Sequence, residues 1–202
     1  MKKNKFTYFL LIIFLWSCNQ ANNKTASVKE EKTSSSEEDI EQIQNLIRQV
    51  YKWHEAQEYS NNDMVTDSKD SIYIGFNLDQ LKLDIEELKA TNYFSTEFID
   101  NYYKIFTTLD KKLRNKEFEW LVGDVPPFGG DVNPWCNCQD NPDNYWQTIT
   151  IDKITFNNNT ANFTWTWGGN FEYKARAIKL NESWEISYLE GFDFDEFTKT
   201  NY

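Results

Sequence analysis

The stretch Ile149–Trp167, ITIDKITFNNNTANFTWTW, decides the architecture. Apolar and polar residues alternate through Ile149–Phe156 and again through Ala161–Trp167, and a period of two is the signature of a strand with one face on a core. Asn157-Asn158-Asn159 between them is too short for a crossover and suits a tight turn, so the two runs fold back as a hairpin. FEYKARAIKL (Phe171–Leu180) and WEISYLEGF (Trp184–Phe192) repeat the pattern after Gly168-Gly169 and Asn181-Glu182-Ser183. Four such strands on short polar connections make an antiparallel meander.

Upstream the period changes to about 3.6. Ser35 with Glu38 fits a capping box, and Ile40, Ile43, Ile47, Val50 and His54 recur at helical spacing with Leu46 and Trp53 beside them, predicting a helix over Glu37–Gln57. A polar loop, Glu58–Lys69, follows. Leu78, Leu81, Ile85 and Leu88 predict a second helix over Asn77–Thr91. A third starts at Ser95, with Phe94 and Ile99 as a hydrophobic staple, and runs through Tyr102, Phe106, Leu109 and Leu113. Helices first and strands afterwards give an α+β class, with N-terminal helices packed on one face of a sheet of about four strands.

That order, with a sheet ending in Trp184-Glu185-Ile186, resembles the cystatin-like superfamily that includes nuclear transport factor two. Cys138-Gln139-Asp140, after a Pro/Gly-rich loop, is similar to segments of an uncharacterised family of exported bacterial domains. The resemblance spans about Asp39 to Asp193. It implies a cone-shaped domain whose curved sheet curls around a cavity, and no particular reaction.

The other end of the chain carries an address. Lys2, Lys3 and Lys5 precede Phe6–Trp16, an eleven-residue apolar run. A spanning helix needs about 20 residues, so the run has the layout of a secretory signal. Leu15-Trp16-Ser17-Cys18 resembles the lipobox of bacterial lipoproteins, with Trp16 departing from the usual small or β-branched residue. The resemblance implies cleavage before Cys18 and lipidation of its sulfur and freed amine, a multi-chain anchor of the kind that holds stably. Residues 1–17 are then the signal peptide, 18–36 the lipidated Cys and a tether, and 37–202 one α+β domain. Asn19–Ser36 lacks aromatics and periodicity, and as a flexible coil reaches roughly 25 Å. Asn rather than Asp at position 19, with no early acidic run, points in that family to the outer membrane, facing the periplasm.

Loss of residues 1–17 removes three lysines and no acid, moving the formal charge from -11 to -14. Such a chain is repelled by nucleic acid. With Cys18 alkylated, Cys136 and Cys138 remain, and an oxidising compartment favours a disulfide between them. A metal site using both thiolates needs two further ligands, and His54 is the chain's single histidine.

Phe163, Trp165 and Trp167 share one strand face, with Phe171 and Tyr173 across the hairpin. The stripe reads as the core the helices need, or as an aromatic pocket lined by His54, Trp165, Trp167 and Tyr173. His54, between Trp53 and Glu55, reads as a packed residue or as a general base. The sequence holds no Gly-rich phosphate loop, Gly-x-Ser-x-Gly elbow or His-Glu-x-x-His helix, so no catalytic or metal-binding residue and no cofactor is assigned. The irregular piece Gly123–Tyr145 is long enough to be functional, and reads best as a disulfide-pinned cover over the sheet. Its Asp131, Asp140 and Asp143 match no standard calcium spacing. Asp70-Ser71-Ile72 resembles a motif for O-glycosylation in some exported bacterial proteins. The leading expectation is a lipid-anchored, non-catalytic binding domain for a periplasmic protein or small ligand, including an immunity or inhibitor-like role. The alternative is a small-molecule enzyme using the cone's cavity.

Overall fold

The computed structural model describes residues 27–57, 64–69 and 71–200, with side chains from Ser36 onward. Phe6–Trp16, Cys18, the first part of the tether and Asp70 of the Asp-Ser-Ile motif lie outside the described residues. The chain divides into units 1–35 and 36–202, and the packed interior belongs to the second.

Helix α1 runs Ser27–Glu55, well before the expected start, so Ser35–Glu38 does not mark its N-terminus. Once a helix is nucleated, each added residue costs little, and a polar extension without an apolar stripe leaves no periodic signal. From Ile43 the apolar spacing does its work: Ile43, Ile47, Val50, Tyr51 and His54 are buried in one stripe. Helix α2 (Leu78–Thr91) is capped by Asn77, whose side chain accepts from the backbone N–H groups of Asp79 and Gln80. Helix α3 (Thr96–Arg114) is capped by Ser95, and Phe94 and Ile99 are both buried as the staple requires.

Between α1 and α2 the chain forms a hairpin whose first strand falls within the expected Glu58–Lys69 loop and whose second lies beyond it. Strand β1 (Met64–Thr66) pairs antiparallel with β2 (Tyr73–Phe76). Three and four residues are too few to show alternation, and much of the hairpin's support is tertiary. Tyr73 donates its N–H to the Trp120 carbonyl, and Phe76 donates to the buried Asp110 carboxylate of α3 at 2.8 Å. Arg114 holds that carboxylate through both oxygens. Gly75 makes room for this pair: a Cβ there would stand 2.7 Å from both Arg114 and Asp110, so a larger residue would have to displace them.

The main sheet has the order β3-β4-β5-β6, all antiparallel: β3 Thr150–Asn157, β4 Thr160–Thr166, β5 Tyr173–Leu180 and β6 Ser183–Leu189. It is curved and unclosed, with register irregularities between Asp152 and Thr155 and between Arg176 and Ala177. Such bulges bend a strand. Asn181 and Glu182 both take positive φ in the two-residue β5–β6 turn, the backbone that matches strand twist. The expected last strand stops early: Glu190–Phe192 is a 3-10 turn, followed by α4 (Phe194–Phe197), which Asp193 caps.

One face of the sheet carries Ala161, Phe163, Trp165, Tyr173, Ala175, Ala177, Trp184 and Ile186, all buried. Helix α1 is tied to that sheet at both ends of the contact. Asp39 accepts from Lys179 (2.8 Å) and Trp184 Nε1 (3.0 Å), and Arg48 donates to the Ile149 carbonyl at 2.9 Å. Burial pushes the Asp39 carboxyl up, but the hydrogen bonds from Lys179 and Trp184 outweigh it and hold it below the usual range. The β6 edge is covered by the α2–α3 connection, where Ser95 donates to the Ile186 carbonyl and Ile186 to the Tyr93 carbonyl.

Candidate functional site

The aromatic stripe on β4 and β5 is closed over by the long loop. Cys136 and Cys138 lie at disulfide-bond distance in a turn that is also closed by a hydrogen bond from the Asn133 N–H to the Cys138 carbonyl. That turn pushes Trp135 inward. Its ring stacks on His54 (4.4 Å, 22°) and meets Trp53, Phe94, Phe98 and Phe192. A half-buried loop packed down in this way needs donors for the carbonyls it turns inward. Tyr51 supplies one to Trp135 at 2.5 Å, and Tyr173 one to Pro134 at 2.8 Å. Tyr173 in turn accepts from the Gly191 N–H, and a Cβ on Gly191 would fall 1.8 Å from the Pro134 oxygen. Burial raises the pKa of both phenols, so they remain neutral donors.

The four residues read as a possible pocket are therefore placed in packing. Trp165 and Tyr173 are fully buried, His54 is 6% exposed, and Trp167 is half-buried, stacked on Phe171. Trp165 lies against Tyr51 with ring centroids 4.5 Å apart, and its indole N–H has no hydrogen-bond partner of good geometry among the described residues, only a looser polar contact with the Tyr51 phenol. Burial lowers the His54 pKa to about 4, so the imidazole is neutral. Ser71, of the Asp-Ser-Ile motif, sits at the β1–β2 turn with its hydroxyl and N–H on Asp67. Asp131, Asp140 and Asp143 do not come together: among the described residues no three His, Cys, Asp or Glu are grouped to hold a metal.

Open space lies elsewhere. A cleft of about 250 Å³ is walled by Met64 and Phe76 of the hairpin, Leu81 and Asp84 of α2, Tyr102 and Phe106 of α3, and Trp120, Pro126 and Phe128. The rings brace one another: Phe76 meets Phe106 edge-on at 5.4 Å, Trp120 meets Phe128 edge-on at 5.3 Å, and Tyr102 lies 4.7 Å from Phe106. Asn77 and Asp84 are the polar groups on this otherwise apolar wall. Beyond the cleft's Trp120 and Pro126, Leu121, Val122 and Val125 remain exposed. Two polar clefts flank Tyr188, of about 270 and 550 Å³, and their cations are matched by acids, Arg176 with Glu97 and Lys174 with Glu190. None of these clefts is lined by His54, Trp165, Trp167 or Tyr173.

Sequence reasoning did not reach the apolar cleft. Of its hairpin wall, Met64 falls in the expected Glu58–Lys69 loop and Phe76 in a stretch given no element, and Trp120 and Phe128 sit in irregular chain with no period. The available signal was chemical: large aromatics in a Pro/Gly-rich segment demand burial against something. Protein-family models, curated proteins and solved structures contain no match to this chain.

Proposed function

We propose that this chain is a lipid-anchored bacterial envelope protein whose domain binds a small ligand or a periplasmic protein without catalysing its turnover. Cys18 carries the lipid, the outer membrane facing the periplasm is the site of action, and the cystatin-like layout is the scaffold. The signal-like run ending in Leu15-Trp16-Ser17-Cys18 supports the anchor, and among the described residues no helix is long and apolar enough to cross a membrane. The acidity of the chain speaks against nucleic acid and for basic partners.

One observation carries the binding half of this reading. The histidine that a cavity enzyme would use as base is stacked beneath Trp135, while ligand-sized space opens in the aromatic cleft, whose described walls hold one charged side chain, Asp84. An imidazole buried with its pKa near 4 is a poor base at neutral pH. Cys18→Ala tests the anchor: the folded domain should leave the membrane fraction, and retention there would mean that Phe6–Trp16 stays on as the anchor. Crosslinking in the intact envelope, with the lipidated full chain as bait, tests binding. Recovery of neither partner nor ligand in repeated trials overturns the binding reading.

A further inference from the structure

We infer that the aromatic cleft is a site for small apolar cations, in which the Asp84 carboxylate meets a protonated amine and the rings of Phe76, Phe106, Trp120 and Phe128 take the apolar body. The inference rests on the binding-domain reading and names its ligand class.

Size comes first. At about 250 Å³ the cleft lies just under the roughly 300–1,000 Å³ usual for drug-sized ligands, so it suits a compact molecule of about one ring and a short arm. The second point is the wall. Phe76, Phe106, Trp120 and Phe128 all line the cleft and meet as edge-on pairs, and aromatic faces carry the negative part of the quadrupole that attracts cations. Charge is the third. Asp84 is the single charged group among the described lining residues, in a chain of formal charge -11. Gln80 donates one hydrogen bond to it at 2.9 Å, and a carboxylate has about four acceptor positions, so the acid keeps capacity for an ammonium.

These features discriminate among ligands. A neutral apolar molecule entering the cleft strips water from Asp84 and returns nothing, whereas an ammonium replaces the lost hydration with a charge-assisted hydrogen bond. An anion is repelled by Asp84. A cation with an aromatic or branched apolar body gains from both the acid and the rings.

Three probes that share one body and differ in charge test this: 2-phenylethylammonium, 2-phenylethanol and phenylacetate. Titration of the purified full chain, followed by calorimetry and by the indole N–H resonance of Trp120, should show the cation binding about tenfold more tightly than the alcohol, with phenylacetate weakest. Asp84→Asn preserves shape and should lower the cation's affinity about tenfold while leaving the alcohol's unchanged. Equal binding of cation and alcohol, or no change in Asp84→Asn, overturns the cation inference and leaves the binding-domain reading standing. Binding of none of the three also overturns it, and the envelope crosslinking then decides the broader reading by itself.

Discussion

Two aromatic clusters in this domain meet different ends. Around Trp165 and Tyr173 the rings are fully enclosed, with Trp135 partly buried beside them; Trp120 and Phe128 are almost as buried, yet they line a cleft. Ring content does not separate them. What differs is the polar support that the long loop finds: Tyr51 and Tyr173 present buried hydroxyls to the Trp135 and Pro134 carbonyls, so that stretch can pack down on the domain while staying half-buried. In the Trp120–Phe128 stretch the one hydrogen bond from an indole, Trp120 Nε1 to the Asp124 carbonyl, stays within the loop and pulls it onto itself. Whether an aromatic stripe becomes core or site is decided by who satisfies the backbone that arrives over it.

The comparison breaks most easily by truncation. Trp165→Ala, in the sealed cluster, should cost about 3–5 kcal/mol, while Met64→Ala, on the half-buried cleft wall, should stay below the roughly 2 kcal/mol at which fully buried Met truncations begin. Urea midpoints of the two variants measure this. Similar losses would mean that the cleft is as much core as the sealed cluster.

A pH series tests the seal itself. His54 titrates near 6.5 in the unfolded chain and near 4 when folded, so between those values the unfolded state binds the extra proton. Stability is therefore full above about pH 6.5 and falls as pH drops toward 4, by about 3 kcal/mol in all, and this contribution levels off below. His54→Phe keeps an aromatic against Trp135 and should flatten that slope relative to the parent. A slope of the same size in both proteins would place the proton uptake on other groups.

The hairpin wall gives a smaller effect. Asp110 is buried and accepts from both the Phe76 N–H and Arg114, so Asp110→Ala leaves a buried donor unmet and should cost about 2–3 kcal/mol. Arg114 reaches solvent and recovers its own hydration, which keeps the loss below that for a fully buried pair. Because β2 forms one side of the cleft, this variant should also weaken ligand binding there, an effect Trp165→Ala lacks at denaturant levels where it remains folded. Unchanged probe binding in Asp110→Ala would show that the cleft does not depend on the hairpin's tie to α3.

The legible parts of the fold were those in which one element carries its own period. Ile43–His54 and Ile149–Leu189 place apolar residues at 3.6 and at 2, and the second helix, the third helix and all four main strands fall within a few residues of those readings. Ser95 announced the start of the third helix, whereas Asn77, read as the first residue of the second, is its cap. Beyond reach were features made by distant partners, a four-residue strand held by Trp120 and Asp110 and a turn after Leu189 where Gly191 must clear Pro134, and a helix extended back to Ser27 through polar sequence. The candidate site divides in the same way. The stripe Phe163-Trp165-Trp167 was visible, but its fate depended on Tyr51 of the first helix, which lies on Trp165, and on Tyr145 at the end of the irregular loop, which meets Trp167. The cleft needed residues from four separate segments.

The smallest expected effect concerns the cysteine pair, and it asks what the disulfide adds to a turn already held by other means. Cys136 and Cys138 enclose one residue, so the chain-entropy term, which grows with loop length, is small. The same turn is closed by the Asn133–Cys138 backbone hydrogen bond and hung from the Tyr51 and Tyr173 hydroxyls, none of which needs the sulfur bridge. A Cys136→Ser, Cys138→Ser double variant should therefore lose less than about 2 kcal/mol, with part of that loss coming from placing a hydroxyl where Cys136 is buried. Its consequence should be local: faster amide exchange at Asn137 and Cys138→Ser, with Trp135 still packed on His54. Intact mass of the parent extracted from the envelope should rise by two hydrogens on reduction. A loss of 4 kcal/mol, or release of Trp135 in the double variant, would mean that the bridge and not the tyrosines seals the interior, and the contrast between the two clusters would then rest on a covalent bond.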